Sequence, residues 1–150
     1  MAQEEEGGEM TIILDSNVLI AALIKPGIVR EIVIGNPGEW LVPEAIFEEV
    51  WEHRDVWNRN KLPDSELHAT LDMLSEDFVN IVSDRVYRGQ EAAAKRLVSD
   101  VDDWPLAALA LSVDNEGIWT FNERHLEKVK KRGIHLLRTS DVAKIHRGSP

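Results

Sequence analysis

The sequence has no cysteine, one tyrosine, five histidines and no hydrophobic run approaching membrane length. Without cysteine there is no disulfide framework, no thiolate nucleophile and no cysteine-built zinc site. The longest hydrophobic run, Val18 to Ile24, falls far short of the roughly 20 residues that cross a bilayer. Nothing in the chain is laid out as a targeting segment, so a membrane role is not expected and a cytoplasmic location is. Internal repeats and low-complexity tracts are also missing after residue 10. The 150 residues are enough for one domain that buries about two thirds of its unfolded surface, with no need of a disulfide or a structural metal.

Positive charge is scarce as well. The formal net charge is -10, which weighs against simple phosphate binding. The distribution is uneven, however: residues 1–123 carry 9 basic and 25 acidic side chains, and residues 124–147 carry 8 basic and 2 acidic ones. A basic patch on an acidic body is expected, although such a run is also what a solvated helix face looks like. The acidic opening MAQEEEGGEM has no apolar core and is expected to be a disordered leader over residues 1–10, followed by one domain over 11–147.

What is present is a regular alternation of short β-rich runs and helical segments. The strand MTIILD ends on Asp15, and SNVLIAALI after it is helical, with Ser16 and Asn17 as available caps. IVREIVIG forms a second helix closed by GNPG, then WLVP is a strand and PEAIFEEVWEHR a helix with Pro43 in its first turn. Leu67, Leu71 and Leu74 make PDSELHATLDMLSED amphipathic. FVNIVS is a strand, and DRVYRGQEAAAKRLVS a helix opened by Asp84 and weakened by Gly89. The apolar helix after DVDD follows, then the strand GIWTF, the basic helix ERHLEKVKKRG, the strand IHLLR and a last helix from Thr139 or Ser140. This order predicts an α/β fold of three layers, with a mainly parallel central sheet between helices. In such sheets ligands bind beyond the carboxyl ends of the strands, where Asp15, Asn122 and Asp103 are all expected.

The acids carry the functional argument. Asp15 could merely cap a helix, but Ser16 and Asn17 cap equally well, so it is free for other work. Glu49 lies three residues after Ile46 and leans toward the apolar face, while Glu48 and Glu52 can point outward. A salt bridge would be one explanation, since an unpaired charge at an apolar rim is costly. DVDD brings Asp100, Asp102 and Asp103 to the start of a wholly apolar helix, and a cap uses one acid, not three. Two carboxylates about 4 Å apart repel by roughly 4 kcal/mol at an effective dielectric of 20. Gathering Asp15, Glu49 and Asp103 therefore calls for protons or a cation, and an oxygen-only ligand set suits Mg²⁺ or Mn²⁺. Asn122 adds a neutral oxygen, or is an ordinary turn residue. His125 is more readily placed on a helix surface than in the site, and Trp104 is better explained by packing than by stacking on a base.

Four stretches, ILDSNVLIAAL, VPEAIFEEV, DDWPLAALAL and IWTFNERHL, occur in the order and rough spacing of the PIN domain family, which includes VapC-type toxins. The resemblance spans about residues 11 to 140. It implies a parallel sheet between helices and a metal-dependent ribonuclease site built from acids. By matching position Asp15, Glu49 and Asp103 are the first, second and third acids, with Ser16, Asn17 and Asn122 in support. The sequence departs from the family in having His125 where a further acid is common; Asp100 or Asp102 could compensate as a ligand. The resemblance also implies an RNA substrate, a homodimer and, for a toxin, an antitoxin protein that obstructs the acidic crevice.

The leading expectation is thus an Mg²⁺- or Mn²⁺-dependent endoribonuclease, with Asp15, Glu49, Asp103 and Asp100 as ligands and Arg124, Lys128 and Lys131 guiding the RNA backbone. An aspartyl phosphatase is disfavoured because Asn17 stands where a second acid is wanted. A PIN-like module that binds RNA or protein without cutting is the other alternative.

Overall fold

The computed structural model describes residues 10–35 and 38–148. The expected leader lies almost wholly outside the described residues, as do Asn36 and Pro37 of the expected turn. Met10, counted with the leader, instead accepts the Glu39 N–H at 2.6 Å and extends the first strand pairing.

Five short strands carry the fold: β1 (Thr11–Leu14), β2 (Glu39–Pro43), β3 (Val79–Val82), β4 (Gly117–Trp119) and β5 (Leu136–Leu137). They form one sheet in the order β3-β2-β1-β4-β5, with every pairing parallel. Parallel neighbours need crossovers, and the helices that supply them cover both faces of the sheet. The chain runs outward from β1 to β3, then returns to the other side of β1 to lay down β4 and β5. The direction of winding therefore reverses between β1 and β4, which opens a crevice at their carboxyl ends.

The helices are α1 (Ser16–Ile24), α2 (Ile28–Gly35), α3 (Glu44–Glu52), α4 (Arg54–Trp57), α5 (Asp64–Asp77), α6 (Asp84–Tyr87), α7 (Glu91–Lys95), α8 (Trp104–Ser112) and α9 (Thr139–Gly148). In α8 every residue from Pro105 to Ala110 is buried. It packs on β1, β2 and β4 with one side and on α6 and α7 with another, so its all-round apolar sequence has no surface to cover. Fully burying Leu106 and Leu109 contributes about 1.5–3 kcal/mol each. Trp104 is a packing residue, its ring 5.8 Å from that of Tyr87. Among the described residues no helix is long and apolar enough to cross a membrane.

Four local expectations need correction. Asp15, not Ser16 or Asn17, caps α1, its side chain accepting from the Ser16 N–H. Pro43 closes β2 and precedes α3 as its N-cap, with φ -61° and ψ 139°. The segment from Asp84 is capped by Ser83 and breaks at Gly89, whose low helix propensity leaves a 3₁₀ turn over Arg88–Gln90 between α6 and α7. Residues Glu123–Arg132 wind as 3₁₀ turns. There the buried pair Leu126 and Val129 repeats every three residues, which is the period of that helix.

Gly117 has φ +145°, and a Cβ there would lie 2.6 Å from the carbonyl oxygen of His135, which accepts the Ile118 N–H. Both the backbone conformation and the β4–β5 approach exclude a side chain. Gly117→Ala is expected to cost about 1–3 kcal/mol of stability. Chemical denaturation checks this, and an unchanged midpoint would contradict it.

Candidate metal centre

The register of β1 with β4 sets Leu14 level with Trp119, so Asp15 and Thr120 emerge side by side beyond the strand ends. The Asp15 N–H donates to the Trp119 carbonyl at 3.0 Å, and the Thr120 hydroxyl donates to Asp15 Oδ2 at 2.6 Å. Asp15 Oδ1 accepts from the Ser16 N–H at 2.6 Å and from its hydroxyl at 3.3 Å. Asp15 is 5% exposed. Burial pushes its carboxyl above the usual range, and the bonds from Thr120 and Ser16 oppose that rise.

The second contribution comes from the start of α8. Asp100 accepts from the Asp102 N–H and so caps the 3₁₀ turn Val101–Asp103. Asp103 occupies the N-cap position of α8 with no side-chain capping bond, which leaves its carboxylate for the crevice. Its side chain is only 19% exposed. Burial, then the charges of Asp15 and Asp100, push the Asp103 carboxyl up to about 7, with His125 acting against them.

The third comes from the segment after β4. His125 Nδ1 lies 3.8 Å from Asp103 Oδ2, and the Asn122 side-chain nitrogen is 3.1 Å from the same ring atom. Asn17, on α1, accepts from the Phe121 N–H at 3.4 Å. From α3, Glu49 is half-buried while Glu48 and Glu52 are exposed. Its carboxyl is raised by burial first and then by Asp102, with His53 opposing. A cleft of about 260 Å³ separates α1 from α3, lined on its acidic side by Glu49, Asp100, Asp102 and Asp103 and elsewhere by Ser16, Ile20, Val50, His53 and Trp57.

Ligand atoms of Asp100, Asp103 and His125 lie within 4.8 Å of one another. Of the four expected ligands, two belong to this group. Asp103 and Asp100 are brought together, but Asp15 and Glu49 do not share that ligand spacing: both oxygens of Asp15 are engaged by Ser16 and Thr120, and Glu49 adjoins Asp102. They act on the centre through their fields. Thr120 is not among the residues the sequence singles out, and His125 is placed there first on a helix surface; the T-x-N pattern at the end of β4 is the available signal for both. Arg124, Lys128 and Lys131 are exposed on the 3₁₀ segment, outside the cleft.

The donor set fits a divalent ion. Among the described residues no lysine or arginine pairs with Asp15, Glu49, Asp100 or Asp103. Their mutual repulsion is opposed by His125 at Asp15 and Asp103 and by His53 at Glu49. A larger hollow of about 530 Å³ beside Asn58 differs, because its Arg54 and Asp64 neutralise each other at 3.1 Å.

A family profile described as PIN domain matches residues 13–139. The chain belongs to the PIN domain family. Among solved structures, that of VapBC2 from Rickettsia felis bound to a DNA fragment from their promoter aligns with a TM-score of 0.61 at 17% identity, covering 86% of this chain and 98% of that one. At that identity the likeness is one of fold, and it is the three-layer α/β/α arrangement described above. No curated protein matches the chain.

The raised Asp103 gives a signed pH dependence. A folded-state value above the ordinary 3.8 means that its contribution to stability is fully present below about pH 3.8 and is lost as pH rises through about 7. Asp103→Asn stays neutral throughout. In metal-free buffer its melting temperature is expected to gain on wild type by several degrees between about pH 4 and about pH 8. Melts that run parallel across that interval would contradict the raised carboxyl.

Proposed function

We propose that this PIN domain protein is an Mg²⁺- or Mn²⁺-dependent endoribonuclease. The observation that carries the reading is the half-buried Asp103 among other acids, with no lysine or arginine paired to them among the described residues. Asp103, Asp100 and His125 would hold the ion, with Asp15 and Glu49 adding negative charge from the two sides of the crevice. When bound, such an ion supplies the positive charge that activates water and offsets the phosphate during in-line displacement.

The residues around it have separate tasks. Thr120 and Ser16 fix the Asp15 carboxylate in one orientation. Asn122 orients the His125 ring. Arg124, Lys128 and Lys131 draw the RNA backbone toward an otherwise acidic molecule, an effect that weakens with salt. No serine, cysteine or histidine nucleophile is required.

The fold likeness to a VapBC protein supports a VapC-type toxin as the finer reading. That reading brings an antitoxin protein seated over the crevice, a homodimer and a cytoplasmic location. A non-cutting PIN module has two observations in its favour, His125 at a position where the family resemblance makes an acid common, and the net charge of -10.

The test is labelled single-stranded RNA incubated with Mn²⁺. Wild type is expected to cleave it, Asp103→Asn at least about 100-fold more slowly and Asp15→Asn about 10- to 100-fold more slowly, the range for residues that support metal ligands. Equal cleavage by all three proteins would overturn the mechanism. Tight RNA binding that ignores metal and yields no product would select the non-cutting module.

A further inference from the structure

Eight of the nine aromatic side chains lie in the hydrophobic core or pack against it. The ninth, Phe121, is 50% exposed. Exposure of one apolar residue is ordinary by itself. Its position is not. Phe121 stands between Thr120, whose hydroxyl holds Asp15, and Asn122, whose amide meets His125 beside Asp103. Its own N–H is directed at the Asn17 side chain. The backbone that carries the ring is thus tied on both sides to groups of the acidic centre, so an exposed aromatic ring is carried next to it.

We infer that Phe121 is a positioning residue that stacks on an unpaired base next to the phosphate at the acidic centre. This rests on the nuclease reading for the phosphate. The reasoning is electrostatic. The protein carries a net charge of -10, and its carboxylates repel a phosphate chain until a cation intervenes. Among the described residues no lysine or arginine lines the cleft, and the basic run 124–132 lies on the 3₁₀ segment after Phe121. A base presents an uncharged π face, and stacking on an aromatic ring holds it without any counter-charge. Bases inside a duplex are already stacked on their neighbours and cannot offer that face.

The experiment uses the full chain and a short single-stranded RNA with one 2-aminopurine moved along it, titrated in Ca²⁺ and again in EDTA. Quenching is expected at one position, and Phe121→Ala is expected to abolish it and weaken binding by about 5- to 150-fold. Phe121→Trp should restore both, whereas Phe121→Leu should not, since bulk alone does not stack. Melting temperature and Mn²⁺ affinity should be unchanged in Phe121→Ala, which separates loss of stacking from loss of fold. Binding and quenching indifferent to Phe121 would overturn the inference, and with intact cleavage would leave the nuclease reading standing. Phe121-dependent binding without cleavage would sink the nuclease reading alone. No RNA binding in either buffer would overturn the inference.

Discussion

Like charges crowd the carboxyl ends of β1 and β4, and the arrangement of the site follows from how their repulsion is contained. Asp15 is buried at the point where the winding of the sheet reverses. Its two oxygens are held by Ser16 on one side and Thr120 on the other, and the second of these bonds ties together the segments leaving two neighbouring strands. Hydrogen bonds satisfy that carboxylate but leave its field in place. Asp103 feels the field, as well as that of Asp100, and holds its proton to about pH 7. A half-buried acid that titrates so close to neutrality marks a candidate functional site.

The fold supplies this tension through elements that have no polar role of their own. The wholly apolar α8 is driven against the sheet by burial, and its start delivers Asp103 to the crevice. The three acids of DVDD then divide the work. Asp100 caps the turn, Asp102 faces Glu49, and Asp103 makes no capping bond and lines the cleft. Helix N-termini at α1 and α8 favour the negative charge they present. A basic surface segment next to an acidic crevice completes a pattern suited to a polyanion that meets a cation inside.

The alternation of hydrophobic strands with helices made the parallel α/β layering legible from the sequence, because burial on two faces leaves a pattern that needs no long-range knowledge. The inward lean of Glu49 was legible for the same reason. What resisted was local hydrogen bonding. Ser16, Asn17 and Asp15 are interchangeable as caps in isolation, and only the β1–β4 register that places Thr120 beside Asp15 decides among them. The 3₁₀ winding of residues 123–132 was equally hidden, since a basic amphipathic run suits either helix until the burial of Leu126 and Val129 sets the period. That winding accompanies the placement of His125 beside Asp103.

All of this turns on whether a divalent ion relieves the crowded carboxylates. Anomalous diffraction from crystals soaked in Mn²⁺ tests it most directly. The expected result is a peak between Asp103, Asp100 and His125, on the side facing Asp15. Featureless density there, with each acid reaching instead for a lysine or arginine of its own, would contradict it.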